Sequence, residues 1–227
     1  MDFTEPISYP LKDLKKLLIG GLLIFPGVIL LLIPAIIAMG YTIKAAGDTV
    51  RGKDELPEFD DWGYFLMKGF GYFGIGLVYC IIGMMPAVLI LGIVFWQLGV
   101  FSLDGTTGNI AVIILGIIIG IIAVLFAIIV MFMIYISLVR YGEKENIGAG
   151  FAFKEILRNF QANLGDYIIG FVILIVVNIV ISIFQVALQI TLIGILFIGV
   201  LYFYYYLVSM RMFAQIYKET KEKLGEN

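Results

Sequence analysis

A chain of 227 residues with 62% hydrophobic and 14% charged side chains carries more apolar surface than one soluble core can bury, since soluble domains run about 45–50% apolar and about 25% charged. Its formal charge of −2 supplies no basic field for nucleic acid. With no His and one Cys, the usual zinc, iron and haem ligand sets, the Ser-His and Cys-His dyads and an intrachain disulfide are excluded.

The solvent for most of this chain is therefore lipid, and the expected fold is an all-α, polytopic integral membrane bundle. Met1 to Glu5 are polar and acidic, Lys12, Lys15 and Lys16 follow, and the next apolar run lacks a small-residue cleavage site. No cleaved signal peptide is expected. Crossing about 30 Å of hydrocarbon takes roughly 20 residues, which places apolar segments near 17–43, 70–96 and 110–139. The stretch 167–213 is too long for one crossing at about 1.5 Å per residue. It divides into 167–186 and 192–213, with Gln185, Gln189 and Thr191 marking the turn.

Segment 17–43 has two readings. As a single crossing it leaves three of the fifteen basic residues on the far side; as a hairpin turning at Phe25-Pro26-Gly27 it places all fifteen on one side. Pro-Gly is a strong turn signal, and cytoplasmic loops carry the excess of Lys and Arg. The hairpin is preferred, against one long helix kinked at Pro26 and Pro34. The chain then reads as one membrane domain: hairpin 1 over about 7–46, a cytoplasmic loop 47–62, hairpin 2 over 63–139, an interfacial helix 150–164, hairpin 3 over 165–213 and a tail 214–227. Both termini are expected in the cytoplasm, at the cell membrane.

Each hairpin has an amphipathic lead-in. Phe153, Ile156, Leu157, Phe160 and Leu164 share one helical face, with Lys154, Glu155, Arg158, Asn159 and Gln161 on the other, as suits a helix in the interface plane. Trp62, Phe65, Leu66 and Phe70 make a similar stripe opposite Lys68, and Ile7, Leu11, Leu14 and Leu18 another beside Lys12, Lys15 and Lys16. The block Gly71-Tyr72-Phe73-Gly74-Ile75-Gly76-Leu77-Val78 aligns without a gap to Gly165-Asp166-Tyr167-Ile168-Ile169-Gly170-Phe171-Val172. Chance in a Gly-rich membrane chain and internal duplication both account for that match.

Two sets of membrane residues stand out. Gly116 and Gly120, continued by Ala123 and Ala127, make a smooth face, and Gly69, Gly76 and Gly83 offer a ridge spaced by seven. The two are expected to pack within the monomer, with a homo-oligomer seam as the alternative. Asn178, Ser182, Gln185 and Gln189 lie at i, i+4, i+7 and i+11, a polar stripe expected to face the bundle or a polar cavity. Pro86 must bend its helix or free a carbonyl. Cys80, in an apolar run, reads as a packing residue. Asp, Glu, Lys and Arg are missing from the middle of every apolar run, which argues against a proton relay or voltage sensor. Tyr202 to Tyr206 and Trp96 sit toward segment ends, as aromatic-belt residues do.

The most distinctive stretch is the first long loop. Asp54, Glu55, Glu58, Asp60 and Asp61 fall within eight residues, but Pro57 interrupts them and the spacing is not that of an EF-hand. Asp60 or Asp61 is better placed to cap the helix that follows. Gly40-Tyr41 ending the first apolar region, a basic stretch, Leu56-Pro57-Glu58-Phe59-Asp60-Asp61-Trp62-Gly63 and then Gly69 resemble the family catalogued as domain of unknown function 4013, over most of the chain. The resemblance implies a polytopic membrane protein, commonly archaeal, and brings no catalytic residues. Interfacial helices before membrane hairpins are also similar to the membrane domain of some glycerophosphodiester phosphodiesterases, whose soluble catalytic domain has no counterpart here. The expected role is therefore non-catalytic, without metal or cofactor: a module that organises the membrane or binds lipid or a membrane-protein partner, through Trp62, Phe153, Lys154, Ile156, Leu157, Arg158 and Phe160. A transporter or channel for a small neutral or apolar solute is the alternative, resting on the polar stripe and the repeats. An enzyme using Asp60, Asp61 or Glu58 as acid or base comes third.

Overall fold

The computed structural model describes residues 3–27, 32–101, 106–190 and 192–225. Those residues form an all-α bundle of eight helices: α1 (Glu5–Ser8), α2 (Leu14–Gly27), α3 (Ile33–Val50), α4 (Trp62–Phe101), α5 (Thr106–Lys144), α6 (Phe153–Ala162), α7 (Leu164–Leu188) and α8 (Leu192–Lys223). Among the described residues four stretches are long and apolar enough to cross a membrane: Trp62–Pro86, Gly116–Lys144, Leu164–Leu188 and Phe197–Lys223. The chain divides into two compact units, Met1–Ile75 with Tyr135–Asn227, and Gly76–Ile134.

In the first unit the apolar region 17–43 is two helices. Helix α2 has 14 residues, roughly 21 Å at 1.5 Å per residue, short of the hydrocarbon thickness. It continues through Phe25-Pro26-Gly27, so the turn expected there is not at those residues, and the stretch 28–31 that follows lies outside the described residues. Pro in a helix is permitted when the freed groups lie near an end. The contacts fix the directions. Gly20 and Gly21 meet Phe203 and Val200 while Glu5 reaches Arg211, so α2 runs antiparallel to α8. Tyr41 packs on Phe203 and Thr49 on Arg211, so α3 runs parallel to α8. The N-terminal segment and the loop after α3 therefore share one end.

Glycines set how closely these helices approach. A Cβ on Gly40 would overlap the Phe65 carbonyl and stand 2.7 Å from the Gly69 nitrogen, and one on Gly69 would overlap the Ile36 carbonyl. Helices α3 and α4 thus touch backbone to backbone, and α3 meets α5 in the same way at Gly47 and Gly142. Around these joints the core gathers Tyr9, Leu17, Tyr41, Phe65, Phe203 and Leu207. A second cluster stacks Tyr135 and Tyr167 on Phe213.

The second unit consists of the distal parts of α4 and α5. Gly83 faces Val130, with a would-be Cβ 3.3 Å from its Cγ1. Most other described side chains there point outward, Ile117, Ile121, Ile122 and Leu125 among them, as lipid-facing residues do.

The lead-ins differ from one another. Only α6 is a separate helix of some length, with a sharply divided face. The stripe Trp62 to Phe70 is the opening of α4 itself: Phe65 is buried, while Trp62 and Phe70 stay outside. Helix α8 runs on through most of the expected tail to Lys223. The matched Gly71 and Gly165 blocks occupy different registers, well inside α4 and at the first turn of α7.

Candidate functional site

The distinctive loop folds as a joint between α3 and α4. Tyr41 donates its hydroxyl to the Pro57 carbonyl at 2.7 Å, and its ring stacks on Phe59 with centroids 4.1 Å apart. Leu56 is buried, and Phe59 also leans on Phe65 and Trp62. Asp61 caps α4, its Oδ1 accepting from the Tyr64 amide at 2.9 Å, which satisfies one orphan donor of the first turn. From α2, Lys16 donates to the Leu56 carbonyl at 2.9 Å and to Glu58 at 2.5 Å. Beneath the loop lies an open cavity of about 480 Å³, whose lining includes Lys44, Asp48, Lys53, Glu58, Asp60 and Tyr64.

Beside this joint, ion pairs tie distant parts of the chain together. Arg211, 3% exposed, donates to Glu5 at 3.0 Å from both Nε and Nη2, to Asp54 at 2.7 Å, to Thr49 Oγ1 at 2.9 Å and to the Lys53 carbonyl at 2.8 Å. Its guanidinium also lies over the Tyr9 ring at 4.3 Å, and Gln215 adds a bond to Glu5 at 2.6 Å. One planar fork thus joins α1, α3, the loop and α8, a task the five fixed donors of Arg suit. Asp48 gathers Lys44, Arg51 and Lys53 at 3.2, 2.9 and 3.4 Å. Glu143 accepts from Lys221 at 2.6 Å and Tyr217 at 3.0 Å. The exposed Asp54 adds little energy, whereas the buried Arg211 would be costly without partners.

These partners shift the carboxyls. Burial raises Glu5, but hydrogen bonds from Arg211 and Lys12 outweigh it and hold the group below its ordinary value. Asp48 behaves alike: burial raises it, and Arg51 and Lys44 bring it down further. Burial pushes the Tyr9 phenol well up. Lys68 is 3% exposed and sits over Tyr141 at 4.6 Å and Tyr64 at 5.3 Å, a cation–π box. Among the described residues no three Cys, Asp or Glu side chains are placed to hold a metal ion.

Helix α6 splits its apolar stripe. Ile156 and Phe160 turn inward, while Phe153 and Leu157 remain 43% and 39% exposed beside exposed Lys154 and Arg158. Asn159, expected on the polar side, is buried and accepts from the Tyr167 hydroxyl at 2.6 Å. Glu155 pairs with Arg140 of α5.

Two expectations are corrected. Among the described residues a Cβ on Gly76, Gly116 or Gly120 meets nothing within 4 Å, and Ala123 is half-buried, so no described contact joins the Gly116/Gly120 face to the Gly69, Gly76 and Gly83 ridge. A spacing of seven drifts about 20° per heptad on a straight helix. Gly69 accordingly turns to α3 and Gly83 to Val130, and they share no single seam. The polar stripe also lies outside the bundle: Asn178, Ser182 and Gln189 are exposed and Gln185 half-buried. Tyr167, Gly170, Leu174 and Ile181 form the buried line of α7, and the stripe is turned roughly 60° from it at 3.6 residues per turn.

The missed residues are Glu5, Tyr9, Asp48, Thr49 and Arg211. A lone Arg ending an aromatic-rich membrane segment was the available signal, since such a charge requires a partner.

Four membrane-crossing stretches and a charged end locked by ion pairs define a multi-pass helical membrane protein. It belongs to the DUF4013 family, described as protein of unknown function, whose profile matches residues 23–190. No curated protein and no solved structure matches it.

Proposed function

We propose that this chain is a non-catalytic membrane module that organises lipid at the cytoplasmic face of the cell membrane, with both termini in the cytoplasm. The observation that carries the reading is the surface of α6, where exposed Phe153 and Leu157 flank exposed Lys154 and Arg158 on a helix anchored from within by Ile156 and Phe160. An apolar edge beside cations is what an anionic headgroup layer recognises, each cation contributing roughly 1 kcal/mol near such a surface. Exposed Leu11, Leu14 and Leu18 beside Lys15 repeat the arrangement at the N-terminal segment. The transport alternative rested on the polar stripe and the repeats; the stripe is exposed on α7, which leaves that alternative with the weaker support.

The test uses nanodiscs of mixed phosphatidylglycerol and phosphatidylcholine, measuring which lipid is retained around the purified protein. The change Lys154→Glu with Arg158→Glu is expected to lower retention of the anionic lipid while the helical content stays the same. Unchanged retention overturns the lipid reading. If Phe153→Ser then abolished capture of a soluble partner while lipid retention held, α6 would be a protein-docking helix.

A further inference from the structure

The stripe on α7 goes beyond lipid organisation. Asn178, Ser182, Gln185 and Gln189 are spaced 4-3-4, the alternation that keeps one seam facing a partner helix in a left-handed pair. Asn178 stands roughly 15 Å of helix from Leu188, at 1.5 Å per residue, which is deep within the hydrocarbon. Among the described residues the side-chain amides of Asn178, Gln185 and Gln189 have no hydrogen-bond partner, while Ser182 donates to the Asn178 carbonyl at 2.8 Å. A carboxamide facing lipid tails is unfavourable, and across a helix pair it finds its partner.

We infer that this stripe is the seam of a parallel two-fold pair with a second copy of the chain. The chemistry selects that occupant. Each carboxamide carries both donor and acceptor, so the stripe complements itself. It bears no charge with which to select an ionised partner. A second copy inserted with the same topology presents the same groups at the same depths, and the two-fold axis brings Asn178 to Asn178 and Gln185 to Gln185. Ile175 and Val186, 43% and 67% exposed, border the stripe and supply apolar contact on its outer side.

The experiment uses the full chain carrying Cys80→Ala, reconstituted in bilayers at low protein-to-lipid ratio. Single cysteines at Asn178 and Ser182 are compared under oxidation with cysteines at Val176 and Ile183, on the opposite side of α7. Cross-linking is expected at 178 and 182, about tenfold slower or lost at 176 and 183. In parallel, energy transfer between labelled copies measures the dimer. Asn178→Leu with Gln185→Leu is expected to raise its Kd about tenfold, with the unfolding temperature of the monomer unchanged, and Asn178→Gln to preserve it. A monomer at every ratio, equal cross-linking on both sides, or a dimer that survives the double leucine change overturns the inference. A dimer lost through Gly120→Leu and indifferent to the stripe would place the seam on α5 and overturn it as well.

Discussion

Alanine at Gly40 or Gly69 is expected to destabilise the protein severely, and alanine at Gly120 to leave it unharmed. At Gly40 the new methyl would overlap the Phe65 carbonyl, and at Gly69 the Ile36 carbonyl. Both obstacles are backbone, so no rotamer change relieves them. The helices must separate, which loosens Tyr41 from Phe65, now 5.4 Å apart, and opens the core around it. Overpacking ordinarily costs about 1–3 kcal/mol, and with two rigid backbones the loss belongs at about 3 kcal/mol. A Cβ on Gly120 meets nothing among the described residues, and replacing a helical Gly by Ala gains up to about 1 kcal/mol of helix propensity. Thermal unfolding in a mild detergent, followed by tyrosine and tryptophan fluorescence, separates the two. If Gly40→Ala were as stable as Gly120→Ala, the backbone contact between α3 and α4 would be refuted.

Arg211→Met should release the N-terminal segment, because it leaves Glu5 half-buried without its main partner; a loss of about 3 kcal/mol and rapid proteolysis near Tyr9 are the expected readouts. The same contact has a pH signature. Glu5 is held below its ordinary value, so its stabilisation is full above the unfolded carboxyl value and fades as pH falls through the lower folded one; amide exchange over residues 5–12 should accelerate on that acid side, and in Glu5→Gln the acid-dependent part should vanish. For topology, on a Cys80→Ala background, an impermeant thiol reagent added outside should label Thr107→Cys and miss Thr4→Cys and Ala149→Cys. Labelling at Thr4 would mean that the N-terminal segment and the charged loop lie on opposite sides. Helix α6 should exchange slowly over 153–162 in nanodiscs, and fast exchange there would remove the basis of the proposed role.

Hydropathy and charge made the membrane class legible, and the polar residues at 185–191 placed the α7–α8 turn where α7 ends at Leu188 and α8 resumes at Leu192. Lengths were read short, because segment ends were taken where apolar runs end. Helix α5 continues through Arg140 to Lys144 and α8 through Arg211 to Lys223, since ion pairs at the charged end carry helices that lipid no longer favours. The glycine seam was misread for a related reason. Small residues permit close approach without compelling it: of the glycines that do bring backbones together, Gly69 belonged to the expected ridge, Gly40 closes an apolar run, and Gly47 and Gly142 sit beside charged residues, Asp48 and Glu143, where a membrane-motif search does not look. The Arg211 knot escaped because Glu5 lies 206 positions away, beyond any local periodicity.

The joint between α3 and α4 shows how packing constrains the loop sequence. Leu56, Pro57, Phe59 and Asp61 each have a definite contact, with the core, the Tyr41 hydroxyl, the Tyr41 ring and the Tyr64 amide of α4. Exchanging Leu56, Phe59 or Asp61 disturbs a joint between two helices whose backbones already touch, so fit constrains these positions of the motif. The charges divide in the same sense. Lys16, Lys44, Arg51, Arg211 and Lys221 are engaged by carboxylates of this chain, and salt screens such close, shielded pairs little. Lys15 and Lys154 stand exposed, with no ion pair among the described residues, and face whatever surface lies beside the helix. A charged end built this way holds its own shape internally and directs the remainder of its positive charge outward, where the proposed headgroup contact would use it.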